Sequence, residues 1–544
     1  LKDLLLRKSK LQHYSFKNLS FFTTILFQMD KKTDKIIGVD DLTIYIPHLY
    51  LPISELAEAR SIEYAKLDKG LGLKDMSLAD GHEDAATMAA NAILQIILQN
   101  KLNPSDIGRI YMGTESAVDG SKPMASYVLE MLSDYFQEEY GPDCLLNCDV
   151  VDLTFACIGS TDAMQNTLDW VRAGNDRIGI VVGSDLAKYE LESTGEYTQG
   201  AGAVALLIRE NPRLLAISDA WGIATRGVHD FFKPIRTLSR FELFEEILQQ
   251  LNQKNQDADL EAMLNRLEKE LQLEALLDKK DEHLSIHKET PVFDGPYSND
   301  CYRERIQQAL DNFTRKAGYD PQKAVIDRWN RLIFHLPYAY QARRMFTEVF
   351  MEESRKRGDW SVIEEKLGVA LPKREDFEED KGYNKAYAQY LKAISKTTHY
   401  RTFVKEKISK GEWASSSMGN LYTSSIYLAL MSTLEAELTD DSLNEGDRLG
   451  FFAYGSGSKA KVFEGILQKD WKEISSRFQL AKRLSERKAI DYTTYEKLHR
   501  GSIEEVCSPQ QGQFYLKSIC KEKGVKEGAR TYSWKANASV TASI

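Results

Sequence analysis

Short apolar runs alternate with amphipathic stretches over residues 36–208, the pattern of strands interleaved with helices in an α/β fold. Residues 83–94 are rich in alanine and predict a buried helix. Residues 149–155 read as a strand feeding a helix that starts near Gly159, in which Met164, Leu168 and Val171 share a face. Residues 195–208 form a glycine-rich turn entering a strand that is apolar on both sides. The turn lacks the Gly-Lys-Ser/Thr ending of a phosphate-binding P-loop, so its small residues are read as permitting close backbone approach.

The pattern then recurs in the same order. An apolar run ending at Gly113-Thr114-Glu115 is followed by Ala156-Cys157-Ile158-Gly159 opening a helix, and then by an apolar strand ending in Gly183-Ser184. Later, Arg331-Leu332-Ile333-Phe334 ends in His335, Gly419-Asn420-Leu421-Tyr422 opens a helix, and a second apolar strand ends in Gly455-Ser456. Self-similarity of this kind points to a duplicated α/β unit. It makes Glu115 equivalent to His335 and Cys157 equivalent to Asn420, so that a carboxylate, a thiol, an imidazole and an amide meet at one interface.

Three stretches break the repeat. Over residues 239–288, Leu260, Leu264, Leu267 and Leu271 fall on one helical face among charged residues, which reads as a surface lid or a partner-binding arm. Residues 346–410 form a second polar helical stretch, and the tail after Gln468 is charged and partly helical. Pro291-Val292-Phe293-Asp294-Gly295-Pro296 has turn chemistry and is read as the loop that starts the second half.

Residues 1–28 are basic, with Asp3 the single acid, and carry Phe21-Phe22-Thr23-Thr24-Ile25-Leu26-Phe27. They read as an extension or leader outside the fold, ahead of a natural start at Met29 or as an organellar presequence or poor signal peptide.

Composition narrows the class. Hydrophobic residues make up 42% and aromatics 10%, ordinary for a globular chain. A net charge of −10 argues against non-specific nucleic-acid binding. Six cysteines are too few for a disulfide framework and show no zinc spacing, and nine histidines occur without a His-Glu-x-x-His motif. The expectation is a cytoplasmic protein with no metal. No run reaches the roughly 18 apolar residues that span a bilayer, so no membrane partner is expected.

Cys157 is placed where a strand turns into a helix, near unpaired amides and the positive end of the dipole, which is expected to lower its pKa and favour nucleophilic attack. The competing reading is a buried structural thiol. His335 ends an apolar strand and is followed closely by Pro337, a position where a histidine is often only a core residue. Asn420 reads equally as a helix cap acting through Thr423, and Glu115 as the cap of the next helix. Their shared placement in a repeat is what singles them out.

These fragments resemble those of the hydroxymethylglutaryl-CoA synthase family, in the thiolase-like superfamily. The resemblance runs over residues 36–465 and rests on eight ordered motifs. They are Gly113-Thr114-Glu115, Ala156-Cys157, the glycine-rich Thr198-Gln199-Gly200-Ala201-Gly202, Asp230-Phe231-Phe232-Lys233-Pro234, Asp294-Gly295-Pro296-Tyr297-Ser298, Phe334-His335-Leu336-Pro337-Tyr338, Gly419-Asn420-Leu421-Tyr422-Thr423-Ser424 and Tyr454-Gly455-Ser456-Gly457. The resemblance implies a thiolase-like duplicated α-β-α-β-α layered fold with helical insertions. Its divisions would be an N-terminal half at 29–215, a connection at 216–290, a C-terminal half at 291–470 and a C-terminal segment at 471–544.

The resemblance further implies condensation of acetyl-CoA with acetoacetyl-CoA. Cys157 would carry the acetyl group, Glu115 would remove a methyl proton, and His335 would position the second substrate and help neutralise its alkoxide. Asp185, Asp230 and Asn420 would support the site, while Thr198, Ser298, Asn420, Tyr422 and Ser456 would contact substrate. Backbone amides at Cys157 and near Ser456 are the candidate oxyanion donors. No cofactor is implied, since the CoA thioesters are substrates, and a homodimer is expected by analogy. Two departures stand out: Ile158 follows the nucleophile where the family commonly has Tyr, and Tyr340 stands where it usually has a CoA-contacting Lys. Arg343 and Arg344 would then supply the cation. A ketoacyl synthase III-like or carrier-protein-dependent condensing enzyme, and a silent partner-binding protein of the same fold, are the rival readings.

Overall fold

The strongest apolar runs become central strands because helices cover both their faces. Ile180, Val182, Ala203, Ala205 and Leu207 pack in one buried cluster, and the alternating Val181, Val204, Leu206 and Ile208 pack in another. The computed structural model describes residues 35–239, 242, 243, 246, 249, 283–503, 506–508 and 510–536. Nine strands form one sheet: β1 Ile37–Tyr45, β2 Ile107–Gly113, β3 Asp149–Leu153, β4 Ile178–Ala187, β5 Gly200–Glu210, β6 Leu215–Thr225, β7 Arg331–Phe334, β8 Arg448–Gly455 and β9 Lys459–Leu467. Their order is β7-β8-β9-β6-β1-β5-β4-β2-β3.

The duplication is visible in that order. β1-β5-β4-β2 joins by antiparallel, antiparallel and parallel pairings, and β6-β9-β8-β7 repeats the same series. β1 and β6 join the halves, pairing Gly38 with Ala216 and Val39 with Leu215. Helix α1 Ala85–Gln99 packs on β1, β4 and β5, and α3 Gly295–Lys316 packs on the equivalent β6, β8 and β9. On the other face, α2 Gly159–Arg172 lies against β2 and β4, and α4 Ser425–Asp440 against β7. Asp84 starts α1 with a reciprocal capping box to Thr87, two bonds of 2.9 Å. Among the described residues β3 has no counterpart; the helix Glu412–Met418 precedes Asn420 instead.

Several expectations meet differences. The second half of the sheet begins with β6, ahead of the excursion, because strand pairing rather than the later turn marks where the repeat restarts. The turn at 291–296 is not wholly a loop: Val292–Phe293 pairs with Phe231–Phe232, and Asp294 caps α3, whose first turn holds Pro296. At the base of the excursion, Ile235–Ser239 and His283–His287 pair antiparallel. Its leucine face lies outside the described residues, as do Met29 and the leader. The tail is built into the fold through Phe514, Tyr532 and Trp534, whose rings pack against Tyr127 and Tyr135.

β2 and α2 meet without room for a side chain: a Cβ on Gly113 would fall 2.0 Å from the Ser160 amide nitrogen. Gly113→Ala should therefore destabilise the protein by about 1–3 kcal/mol or more through overpacking, read as a lower thermal unfolding midpoint. A variant as stable as the parent would show that this contact does not hold the helix.

Candidate active site

The nucleophile elbow and its repeat share one backbone device. Ala156, just before Cys157, has φ 41°, and Gly419, just before Asn420, has φ 78°. A left-handed residue turns the chain sharply enough to start a helix with the next side chain facing the interface, and at Ala156 it costs about 1–3 kcal/mol. The starts of α2 and α4 then abut. Tyr427 donates to the Ser160 carbonyl at 3.2 Å, and the Ser160 hydroxyl donates to the Thr423 carbonyl. Asn420 does not cap through Thr423 as expected. Its side-chain oxygen accepts from the Tyr422 amide at 2.8 Å, and its own amide donates to Thr198 at 3.0 Å.

The Cys157 thiol donates to Glu115 Oε1 at 2.9 Å. Burial raises the Glu115 pKa to about 7, with Lys233 opposing and Asp185 adding to the shift. Burial, then the Glu115 charge, push the thiol well above its ordinary value. This corrects the sequence expectation of a lowered thiol pKa: desolvation and a neighbouring carboxylate outweigh the helix terminus. The resting pair is a neutral thiol hydrogen-bonded to a carboxylate whose charge disfavours a free thiolate beside it.

Asp185 organises this pair. Its Oδ1 accepts from the Glu115 amide at 2.7 Å, Ser116 at 3.0 Å and Thr114 at 3.1 Å, while Oδ2 accepts from the Thr423 amide at 3.1 Å and from the Thr423 hydroxyl. Lys233 donates to the Glu115 carbonyl at 3.0 Å, with its ammonium 5.0 Å from the Tyr422 ring centre. Asp230 plays a similar part beside it. It accepts from Ser298 at 3.2 Å, Tyr454 at 3.0 Å and the Gly457 amide at 2.7 Å. That commits the Gly457 amide and leaves the Ser456 amide as the oxyanion donor to consider in that turn.

His335 lies at the end of β7, with its amide bonded to Phe452 of β8 at 3.0 Å. The end of β8 meets the nucleophile elbow, since a Cβ on Gly455 would lie 2.6 Å from the Phe155 carbonyl. Both ring nitrogens of His335 are buried, with no hydrogen-bond partner among the described residues. Burial lowers its pKa to about 3, so the imidazole is neutral and offers one N–H to an incoming ligand. Tyr189, Phe231, Phe293 and Tyr422 pack around Cys157, which is 9% exposed.

The two arginines stand apart. Arg343 is held by a two-pronged ion pair to Glu412 and stacks over Tyr340, so it is not free to meet CoA as expected. Arg344 is exposed, beside the Tyr338 ring. Ile158 is fully buried against Gly455, and Tyr340 fills the space beside Gly72, so both departures are used in packing. Sequence reasoning assigned no role to Lys233, Tyr189, Phe231 or Phe293. The loop motif containing Asp230 held two of them in view. Tyr189 lies four positions after Asp185 and carried no signal of its own.

The family model described as Hydroxymethylglutaryl-coenzyme A synthase N terminal matches residues 33–212, and that described as Hydroxymethylglutaryl-coenzyme A synthase C terminal matches residues 283–507. A hydroxymethylglutaryl-CoA synthase of Haloferax volcanii is 28% identical over 466 residues, covering 85% of this chain and 91% of that protein. One from Schizosaccharomyces pombe is 26% identical over 504 residues, covering 89% and 96%. Among solved structures, MvaS in complex with 3-hydroxy-3-methylglutaryl coenzyme A superposes with a TM-score of 0.67 at 26% identity, over 93% of this chain and all of that one. The curacin-pathway HMG synthase in complex with holo donor-ACP, 19% identical over 92% of this chain and all of that one, shares the fold at a TM-score of 0.64.

Because the Glu115 charge raises the thiol pKa, Glu115→Gln should speed alkylation of Cys157 by iodoacetamide at pH 8, followed by peptide mass spectrometry. An unchanged rate would mean that the carboxylate does not govern the thiol.

Proposed function

The chain belongs to the hydroxymethylglutaryl-CoA synthase family, and from that premise we propose that Glu115, Cys157 and His335 divide between them the condensation of acetyl-CoA with acetoacetyl-CoA. The observation that carries this is the buried thiol–carboxylate hydrogen bond of 2.9 Å. As the sulfur attacks the acetyl carbonyl, Glu115 takes the thiol proton, and it returns that proton to the departing CoA thiolate. Glu115, again a carboxylate, then removes a proton from the acetyl methyl group, for which a pKa near 7 suits it. The carbanion attacks the ketone carbon of acetoacetyl-CoA, whose oxygen accepts a hydrogen bond from the neutral His335 N–H, and the resulting alkoxide takes up the proton that Glu115 removed, leaving Glu115 a carboxylate again. Water hydrolyses the enzyme thioester and releases 3-hydroxy-3-methylglutaryl-CoA, a step of isoprenoid precursor synthesis by the mevalonate route.

The amides of Cys157 and Ser456 are the oxyanion donors of this scheme, and Thr198, Ser298, Asn420 and Tyr422 border the substrate. The chemistry calls for no cofactor. Arg344, exposed near Tyr338, is the remaining candidate of the two arginines for the CoA phosphates. A homodimer is supported by β3, an edge strand with Val151 37% exposed and Leu146 just before it 72% exposed. Among the described residues no helix is long and apolar enough to cross a membrane. Six unpaired cysteines support a reducing, cytoplasmic setting.

One observation favours a second reading, in which a carrier protein delivers the acyl group. Tyr340 replaces the expected lysine and Arg343 is engaged by Glu412, so two of the cations expected to meet CoA are missing from that role.

The deciding assay is acetyl-CoA-dependent consumption of acetoacetyl-CoA, with product mass measured in the same tube. Stoichiometric 3-hydroxy-3-methylglutaryl-CoA is expected. Turnover only with carrier-bound acetyl groups would favour the second reading, and none with either would favour a silent protein. Cys157→Ala should abolish the acetyl-enzyme. Glu115→Ala should slow acetylation of Cys157, and the acetyl-enzyme it does form should lose condensation by about 10²–10⁴-fold; a variant that condenses normally would free Glu115 of its role.

The pH profile has a defined sign. Condensation by pre-acetylated enzyme needs ionised Glu115, so its rate should rise about tenfold per pH unit on the acid side and level off above its pKa. Acetylation removes the thiol hydrogen bond that lowers this pKa, so the limb should lie at or above pH 7. A flat profile between pH 6 and 8 would rule out Glu115 as the base.

A further inference from the structure

The scheme above makes no use of the helix Tyr492–His499, which belongs to the C-terminal segment and carries no catalytic motif. Two of its side chains nevertheless hold the wall of the acyl site. His499 Nε2 lies 2.7 Å from the carbonyl oxygen of Tyr189, a residue 310 positions away. Burial lowers the His499 pKa, so its one N–H must sit on Nε2 to make this bond. The Tyr495 hydroxyl accepts from Gln199 Nε2 at 2.7 Å and donates to Glu196 Oε1 at 2.9 Å. Gln199 Oε1 in turn accepts from the Tyr189 amide at 2.7 Å. Glu196 is itself anchored by two bonds of 2.8 Å from Arg60.

Both backbone polar groups of Tyr189 are therefore held, one by His499 directly and the other by Tyr495 through Gln199. What they hold is the Tyr189 ring, whose centre lies 5.4 Å from Phe293, 6.3 Å from Phe231 and 6.4 Å from Tyr422. These rings and Cys157 form one packed cluster. A rigid aromatic wall leaves little room for an acyl chain, and a wall free to shift leaves more. We propose that His499 and Tyr495 are positioning residues that fix the Tyr189 ring against Cys157 and so limit the acyl donor to a two-carbon group. The inference rests on the reading of Cys157 as the acyl site.

The test compares acylation of Cys157 by acetyl-CoA and by propionyl-CoA in the full-length protein, as rate constants from mass spectrometry. One extra methylene in a fitted pocket is rejected by roughly 10–200-fold, and the parent should show a preference of that order. His499→Leu and Tyr495→Phe should each reduce the preference by about tenfold, chiefly by raising the propionyl rate relative to the acetyl rate. His499→Gln, which keeps a side-chain N–H donor, should retain most of it. Variants that keep the parent's ratio, or that lose both rates together with glutamine giving no rescue, would overturn the inference while leaving Cys157 as the acyl site. A parent that takes an acyl group from neither donor would overturn the reading of Cys157, and the inference with it.

Discussion

The carboxylate of Asp185 sits fully buried at the end of β4 and accepts hydrogen bonds from both halves of the duplicated sheet. One oxygen gathers Thr114, Glu115 and Ser116 after β2; the other takes Thr423 at the start of α4. A buried carboxylate is costly unless its acceptor sites are filled, so this one specifies a single geometry for everything bonded to it. The Glu115 main chain is placed from the first half and the Asn420–Ser424 turn from the second. If the halves slid apart, the carboxylate would lose the Thr423 donors and the general base would lose its fixed place beside the thiol.

Electrostatics at the interface follow from this enclosure. Burial pushes the Glu115 carboxyl up, the Cys157 thiol up and the His335 imidazole down, so near neutral pH the resting thiol and imidazole carry no charge and Glu115 is only partly ionised. The oxyanion charge appears only when the reaction creates it, which is where preorganised donors are most effective. Lys233, bonded to the Glu115 carbonyl, keeps the Glu115 carboxyl from rising further.

Much of the fold was legible because duplication leaves a signal in pattern, not only in residue identity. The ordered strand ends at Glu115, Ser184, His335 and Ser456 announced two α/β units, and the family motifs placed them in the right order. Other features were silent for physical reasons. The pairing of β6 with β1, which joins the halves, is a long-range backbone contact between strands with no distinguishing residues. The thiol pKa went the other way from the sequence expectation because a local cue, the helix start, competes with burial that only packing creates. Arg343 looked available in the chain and is consumed by Glu412, 69 residues further on.

The sequence by itself determined which residue types are present for the chemistry, their order, and the strand–turn–helix elbows that aim them, because those depend on neighbours within a few residues. Tertiary structure alone decided how strongly each group binds its proton, which cations remain free, and that His499 and Tyr495 reach Tyr189. Those properties arise from desolvation and from contacts between segments hundreds of residues apart, and no local pattern in the chain encodes them.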